Sequence, residues 1–300
     1  KPILLIFPGY PENRPTIPFS IIVLASYLRK NKLPVEVIDM RVEPYKDIDF
    51  NKYSLIGVSV KSGEQLSSAI EICQTIRKKS KTLIVWGGPH ATFFPEQTCR
   101  SELVDFVVRG EGEETLLELV LALNNGKNLK DIDGLIYKNN GRVISNKERK
   151  FLDMNSLDIP AYDLIDLDKY QDKIKYFTIE TSRGCPHRCD FCYVHSFHKH
   201  MWRCKSIPKV IREIKQIMQR YKINKFFFCE DNFFVNKPRV IEFCKTLIKE
   251  NIKIEIYCYA RADYISKYSS DELKLVSDSG FKYLGIGAES GSQRMLNLIH

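Results

Sequence analysis

The stretch KYFTIETSRGCPHRCDFCYV, residues 175–194, decides how this chain is interpreted. Its first eight residues are rich in the β-branched and aromatic types that favour a strand. Cys185, Cys189 and Cys192 follow with the spacing C-x3-C-x2-C, which places three thiolates in one tight loop. Because the set has no fourth cysteine, it can bind three irons of a four-iron, four-sulfur cube and leave the fourth iron open. An open metal position usually indicates chemistry, whereas a closed one usually indicates a structural role.

Zinc is the alternative metal that these cysteines could bind. Zinc accepts mixed Cys/His sets, and four histidines lie close in sequence: His187, His195, His198 and His200. A zinc knuckle usually has paired short spacings in a small loop-rich module. Here the loop leaves a predicted strand inside a long alternation of strands and helices. Spacing alone does not decide between a cluster, zinc and cysteines that merely pack in the core.

The composition of the chain limits the possible domain count and cellular compartment. Three hundred residues with 44% hydrophobic content are enough for two domains, each with its own core. The sequence has no apolar run long enough for a membrane span, and its opening does not resemble a secretory signal. Nine cysteines with metal-like clustering fit a reducing cytoplasm better than a disulfide framework. We therefore expect a cytoplasmic protein without membrane contact.

The net charge of +9 raises the question of nucleic acid. Residues 1–150 carry 22 Lys/Arg against 18 Asp/Glu, and residues 151–300 carry 24 against 19. The excess is therefore spread evenly, with no basic tail or stripe. This pattern favours a lysine-rich solvated surface, so we do not expect nucleic acid as a partner.

The first half of the chain alternates short apolar runs with helical-period segments. Strands buried on both faces that alternate with helices indicate an α/β fold with a doubly wound, Rossmann-like parallel sheet. The predicted strands are 3–9, 34–40, 54–60, 82–88 and 104–110, and the predicted helices are 18–30, 66–79 and 112–124. Residues 131–146 then predict a hairpin with a tight turn at Asn140–Gly141. An acidic, proline-containing connector follows.

Glycines follow several of these strands, at the sheet edge where open α/β sheets bind ligands. They permit close backbone approach, although a glycine after a strand is more often only a turn. No G-x-G-x-x-G follows the first strand, which argues against a dinucleotide site. The loops concerned are Pro8–Gly9, Ser59–Gly63, Gly87–His90 and Gly110–Glu113.

The second half repeats strand–helix units after the cysteines. Repeated βα units with functional residues at the strand ends indicate a barrel of the TIM type, open or closed. The strands are predicted at 225–229, 253–259 and 281–287, and the helices at 207–221, 237–250 and 271–279. Charged side chains follow these strands: Glu230 and Asp231, Arg261, and Glu289.

At the cysteines the chain resembles the radical S-adenosylmethionine (radical SAM) enzymes, whose signature is C-x3-C-x-Φ-C with an aromatic Φ, here Phe191. The strings IGVSV, WGGPHATFFPE and FVVRGEGEETLLEL resemble the cobalamin-binding domain that precedes many radical SAM domains. GIGAESGSQRML is similar to the fourth-strand motif of the cobalamin branch. The resemblance implies a cobalamin-binding-like α/β domain at 1–146, a connector at 147–170, and four of six βα units of a partial barrel at 171–300. It implies that the barrel is incomplete here, with an exposed sheet edge.

The resemblance also implies roles for residues in the first domain. Ser59, Gly87 and Gly88 would line the corrinoid and its nucleotide tail. His90 would contact either part, or only cap the following helix. The D-x-H-x-x-G motif, through which some cobalamin domains ligate cobalt, is absent. Any bound cobalamin should therefore lack an axial His from that motif.

In the second domain the resemblance assigns the S-adenosylmethionine contacts. Phe191 would lie beside the adenine and Glu289 near the ribose hydroxyls. Arg261 would meet the methionine carboxylate, where a guanidinium can form a two-point charged pair. Glu230 or Asp231 would meet the amine, although the family's GGE motif is absent as such. A solvated surface role is the alternative for each charged residue.

The implied activity is reductive cleavage of S-adenosylmethionine at a 4Fe-4S cluster to a 5′-deoxyadenosyl radical, followed by methyl transfer from cobalamin to an unactivated carbon. The implied partners are a small, natural-product-like substrate and an electron donor such as flavodoxin or ferredoxin. Cyclisation or rearrangement within the same fold is the alternative. A tRNA methylthiotransferase is disfavoured, because it needs three cysteines in the first domain and only Cys73 and Cys99 lie there. A zinc-stabilised nucleic-acid-binding protein is the non-enzyme alternative.

Overall fold

The computed structural model describes residues 1–9, 16–45, 47–170 and 176–299. The chain divides into two compact units. Unit 1 comprises Lys1–Leu152 with Ser156–Ile174, and unit 2 comprises Asp153–Asn155 with Lys175–His300. No helix within the described ranges combines the length and the apolar character that crossing a bilayer requires.

Among the described residues of unit 1, seven strands form one sheet in the order β2-β1-β3-β4-β5-β6-β7. The first five strands are parallel, and β6 and β7 run antiparallel at one edge. The strands are β1 Ile3–Phe7, β2 Val35–Asp39, β3 Leu55–Ser59, β4 Leu83–Gly87, β5 Phe106–Val108, β6 Leu135–Asn139 and β7 Arg142–Ser145. The predicted doubly wound sheet is confirmed.

The strand order 2-1-3-4-5 puts the change of winding direction between β1 and β3. Ligands of such sheets bind outside the carboxyl ends of the strands at this point. The helices of unit 1 are α1 Phe19–Lys30, α2 Glu64–Lys79, α3 Pro89–Phe93, α4 Pro95–Arg100 and α5 Glu113–Asn125. All five residues of β1 are buried, as expected for a central strand covered on both faces.

The predicted hairpin is present as β6 and β7. Asn140 and Gly141 both have positive φ, 48° and 76°, which is the conformation of a two-residue type I′ turn. The hairpin extends the parallel sheet at its β5 edge.

The described residues of unit 2 form a second parallel sheet in the order β13-β12-β11-β8, and a two-stranded antiparallel ribbon of β9 and β10. The strands are β8 Phe177–Ile179, β9 Ser182–Arg183, β10 Arg203–Cys204, β11 Lys225–Phe228, β12 Glu255–Ala260 and β13 Phe281–Ile286. The predicted succession of strand–helix units is confirmed. These four parallel strands form an open sheet with two edges and do not by themselves close a barrel.

Six helices accompany this sheet in the described part of unit 2. They are α6 Val194–Phe197, α7 Ile207–Tyr221, α8 Lys237–Lys249, α9 Ala262–Ile265, α10 Ser270–Asp278 and α11 Gln293–Ile299. An aromatic cluster packs α8 against the sheet: Phe228, Phe233, Phe243 and Phe281 are buried, with ring centroids 5.2–6.2 Å apart. Such clusters supply large apolar burial with preferred edge-to-face geometry.

Candidate functional site

The three cysteines lie in a long loop of unit 2, residues 184–202, which we call the cysteine loop. Short strands β9 and β10 pair at its two ends, with Arg183 opposite Arg203 and Ser182 opposite Cys204. One residue farther out, the amide of Lys205 donates to the carbonyl of Thr181 at 2.8 Å. The loop is therefore closed at its base by backbone hydrogen bonds and projects beyond the carboxyl end of β8.

Gly184 permits this closure. Its φ is +82°, and a Cβ at this position would collide with the Met201 carbonyl oxygen and with the side chain of His198. Only glycine allows the two ends of the loop to approach so closely at this backbone conformation.

All three thiols are free, and none is in a disulfide. Cys189 is buried, Cys185 and Cys192 are half-buried, and the amide of Cys192 donates to the carbonyl of Cys189 at 3.0 Å. Within the described part of the chain, no three His, Cys, Asp or Glu side chains are already gathered as a metal-binding group. The donor set fits a cluster by its chemistry, three free thiols within eight residues, and its role as metal ligand stays a prediction.

Arg261 follows β12, two strands from β8 in the sheet, and contacts the cysteine loop from there. Its Nη1 donates to the sulfur of Cys189 at 2.9 Å, and its Nε donates to Asp263 at 3.0 Å. Burial raises the pKa of the Cys185 thiol, and the charge of Arg261 partly opposes that rise. The guanidinium therefore favours the thiolate form of Cys185, as a cation beside a thiol does. The predicted contact of Arg261 with a bound carboxylate stays a prediction.

The two acidic residues after β11 have different surroundings. Glu230 is 3% exposed, and its Oε1 accepts hydrogen bonds from the amide of Thr181 at 2.9 Å and from the Thr181 hydroxyl. Burial raises the pKa of Glu230 to about 7. Asp231 is accessible to solvent, yet the surrounding protein desolvates its carboxylate, and this, together with the charge of Glu180, raises its pKa to about 6. Of the two, Asp231 is the one that a ligand amine can reach.

The remaining predicted contacts of unit 2 are on the surface. Phe191 is 58% exposed at the tip of the cysteine loop, as a ring available for stacking would be. Glu289 is exposed, has a φ of +57°, and folds its carboxylate back over Gly287. Both roles stay predictions.

In unit 1 the predicted site residues lie at the carboxyl edge of the sheet. Ser59 ends β3, and its hydroxyl is 3.0 Å from that of Ser20 in the first turn of α1. The Nδ1 of His90 is 3.0 Å from the hydroxyl of Ser62, and burial lowers the pKa of His90. The two serine hydroxyls thus meet where the winding direction changes, and the Ser62–His90 pair lies beside them at the ends of β3 and β4.

At Gly87 and Gly88 the turn after β4 is hydrogen-bonded to the turn after β3. The amide of Val60 donates to Gly87 at 2.9 Å, and the amide of His90 donates to the Val60 carbonyl at 3.0 Å. Gly88 has a φ of +93°, and a Cβ there would lie 2.8 Å from the Val60 oxygen. Gly63 also has positive φ, but a Cβ there would meet nothing within 4 Å. The edge is therefore made of backbone and is open beside Gly63, and we call it the backbone cradle.

The alternative that His90 caps the following helix is wrong. Gly88 occupies the N-cap of α3, Pro89 begins the helix, and His90 lies inside its first turn. Proline suits the first helical position because its missing N–H would be unpaired there anyway.

Four contributors were not predicted: Ser20, Ser62, Thr181 and Arg239, which donates to the Thr181 hydroxyl at 3.0 Å. Ser62 lies in Ser59–Gly63, one of the strand-end loops that the sequence predicts to be near a ligand. Its contact with His90 was not predicted. Thr181 and Arg239 belong to no motif, and only the fold brings them together.

Comparison with known families agrees with this arrangement. The profile of the B12 binding domain matches residues 14–120, and that of the Radical SAM superfamily matches residues 179–300. The chain is a radical SAM protein with a B12 binding domain. The cysteine loop lies in the radical SAM match, and the glycine-rich edge lies in the B12 match.

Two curated relatives and one solved structure illustrate the similarity of this radical SAM protein. An uncharacterized methyltransferase of Pyrococcus horikoshii is 33% identical over 296 residues, covering 94% of this chain and 62% of the relative. The anaerobic magnesium-protoporphyrin IX monomethyl ester cyclase of Synechocystis is 31% identical over 224 residues, covering 72% of this chain and 44% of the relative. The chain thus spans roughly half the length of the relatives it matches.

The solved structure is the cobalamin-dependent S-adenosylmethionine radical enzyme OxsB with aqua-cobalamin and S-adenosylmethionine bound. It superposes with a TM-score of 0.84 at 27% identity, covering 99% of this chain and 45% of OxsB. The fold of the radical SAM protein described here is therefore that of a cobalamin-dependent radical enzyme.

Proposed function

We propose that this protein is a cobalamin-dependent radical SAM enzyme that transfers a methyl group to an unactivated carbon of a small molecule. The observation that carries the proposal is the pairing of a free-thiol cysteine loop and its Arg261 contact with a B12 binding domain in one chain. A zinc-stabilised nucleic-acid-binding protein would require neither a second sheet of this type nor an open backbone cradle.

Cys185, Cys189 and Cys192 would hold a 4Fe-4S cluster, and the edge at Ser59, Gly87, Gly88 and His90 would hold cobalamin. When bound, these groups supply the electron that cleaves S-adenosylmethionine and the carrier for the methyl group. Because the Ser62 hydroxyl is within hydrogen-bonding distance of His90 Nδ1, the edge keeps the imidazole oriented.

Phe191 of the cysteine loop and charged residues at the neighbouring strand ends would bind and orient S-adenosylmethionine. Asp231 is accessible, and its carboxylate would accept hydrogen bonds from the amine. Arg261 would divide its guanidinium between the loop thiol and the carboxylate, since its planar fork offers several donors. Phe191 would stack on the adenine, and Glu289 would accept hydrogen bonds from the ribose.

Cyclisation or rearrangement of the substrate is the second candidate, favoured by the similarity to the cyclase of Synechocystis. In either case we propose a small, natural-product-like substrate, a cytoplasmic location in keeping with the free cysteines, and an electron donor such as flavodoxin or ferredoxin.

Product analysis separates these outcomes. The full-length protein is incubated anaerobically with cobalamin, S-adenosylmethionine and a reductant, and the nucleosides are measured by mass spectrometry. Methyl transfer predicts both 5′-deoxyadenosine and S-adenosylhomocysteine, because the second product reports methyl loading of cobalt. 5′-Deoxyadenosine alone favours cyclisation or rearrangement. Neither product, in a protein with intact cofactors, contradicts the proposal.

A further inference from the structure

The base of the cysteine loop contains a buried set of charged and polar side chains, which we call the base network. Its members belong to unit 2 and come from five different elements or loops. They are Thr181, Lys205, Glu213, Glu230 and Arg239, and each is at most 8% exposed.

Arg239, in the first turn of α8, contacts both ends of the loop. Its Nη2 donates to the hydroxyl of Thr181 at 3.0 Å and to the Thr181 carbonyl at 3.3 Å, before the loop begins. The same nitrogen approaches the carbonyl of Lys205 at 3.4 Å, after the loop ends. Its guanidinium carbon lies 5.7 Å from the ring of Trp202, the last residue of the loop.

Acidic residues complete the network on either side. Glu230 accepts from the Thr181 amide at 2.9 Å, so Thr181 is held from two directions. The Nζ of Lys205 donates to Glu213 in α7 at 2.8 Å, which fixes the other end of the loop to a different helix. Both ends of the loop are thus connected to helices outside it.

Burying this many ionisable groups is a poor way to gain stability, because desolvation offsets much of the attraction between the charges. What such a network provides is a single geometry, since each donor has few acceptors in reach. The network fixes the positions of Thr181 and Lys205, which flank the two ends of the cysteine loop.

We propose that Arg239 is a positioning residue that clamps the two ends of the cysteine loop through Thr181 and Lys205, and so sets the placement of Cys185 and Cys189 before any metal binds. The inference rests on the proposed function only in treating this loop as the metal-binding segment. Its test needs neither metal nor S-adenosylmethionine, so it can fail while the proposed function stands.

The test is residue-resolved alkylation of the full-length, metal-free, reduced protein with iodoacetamide. Trypsin releases residues 184–188, which carry Cys185 alone, and residues 62–77, which carry Cys73. Cys73 is a reference thiol, because it is buried in unit 1 and accepts from Trp86 Nε1 at 3.2 Å. Arg239→Met removes the clamp, and Lys245→Met is the matched control on an exposed position of α8.

We expect Arg239→Met to raise the alkylation rate of Cys185 about tenfold, since local opening becomes easier when a charged hydrogen bond is lost. Lys245→Met should stay within about twofold of the parent, and Cys73 should not change in any variant. An unchanged Cys185 rate in Arg239→Met overturns the proposal. So does a parallel rise at Cys73, which would indicate general loosening of the protein.

A second pair of variants decides the matter if Arg239→Met does not fold. Thr181→Val keeps the shape of the side chain but loses the hydroxyl, whereas Thr181→Ser keeps the hydroxyl. The clamp predicts faster alkylation of Cys185 in the valine variant, with the rate near that of the parent in the serine variant. Equal rates in the two variants contradict it, because shape rather than hydrogen bonding would then control the loop.

Discussion

The glycine-rich edge of unit 1 and the cysteine loop of unit 2 both follow the carboxyl ends of parallel strands, but they are built differently. The edge is made of backbone: short turns interlock through Val60, Gly87 and His90, and Gly88 leaves no room for a Cβ. The loop is made of side chains: free thiols, the Arg261 contact and a buried charged network at its base. The edge of unit 1 should therefore be disrupted by an added carbon atom, and the cysteine loop by the removal of a functional group.

The largest expected effect is at the cysteines. Cys189→Ser should lower the iron bound after anaerobic reconstitution by at least about tenfold, because a hydroxyl is a poor replacement for a thiolate ligand. Cys99→Ala, in unit 1, should leave the iron content unchanged and serves as the matched control. Iron is measured by atomic emission. Equal iron in the two variants would remove Cys189 from the ligand set.

An added methyl group should break the edge of unit 1. Gly88→Ala combines a strained φ with a contact to the Val60 oxygen, so we expect a loss of roughly 2–4 kcal/mol in the free energy of unfolding. Gly63→Ala has the same sign of φ but open space, and should lose only roughly 1–2 kcal/mol. Urea unfolding followed by Trp86 fluorescence, in a Trp202→Phe background, reports on unit 1 alone. Equal losses would show that the close approach at Gly88 is unimportant.

The buried carboxyl group at the base of the cysteine loop predicts a pH dependence. Burial raises the pKa of Glu230 from 4.5 to about 7, so the folded protein disfavours its ionised form. Stability from this group is fully present below about pH 4.5 and is lost as pH rises to about 7. Glu230→Gln keeps an acceptor for Thr181 and stays neutral. We expect it to match the parent near pH 4.5 and to be more stable by roughly 1–3 kcal/mol at pH 8.

Glu242→Gln is the control for this comparison, because Glu242 is an exposed carboxylate on α8. Its difference from the parent should not vary between the two pH values. The account of Glu230 would be wrong if the stability of Glu230→Gln followed the same pH profile as that of the parent.

The smallest effect concerns the charge beside the thiols. Arg261→Met removes the charge that opposes the burial-raised pKa of Cys185, so that pKa should rise further. We expect alkylation of Cys185 at pH 8 to slow about two- to fivefold, since the thiolate is the reactive form. Lys199→Met removes an exposed cation from the same loop, leaves the peptide with Cys185 intact, and should have little effect. A similar slowing in both variants would point to general electrostatics instead of the Arg261 contact.

The sheets could be predicted because their strands are buried on both faces and are separated by helical periods. The turn at Asn140–Gly141 was readable because two consecutive positive φ values suit those residue types. The short helices α3 and α4 were not predicted. Helices of five or six residues are not stable alone, so tertiary contacts decide whether they form.

The thiols and strand-end charges of the site could be predicted from spacing and resemblance, but their contacts could not. The contact of Arg261 with Cys189 spans 72 residues of sequence, and nothing local in the sequence encodes it. Arg239 was missed for the same reason: in the sequence it is one more arginine near the start of a helix. Only the packing of α8 against the loop base gives it two partners.

The central claim is that three thiolates hold a four-iron cluster with one open iron. The most direct measurement is the iron, acid-labile sulfide and zinc content of the full-length protein after anaerobic reconstitution, together with its absorption spectrum. The account predicts about four irons and four sulfides per chain, with broad absorbance near ~400 nm. One zinc per chain, no iron and no colour would contradict it.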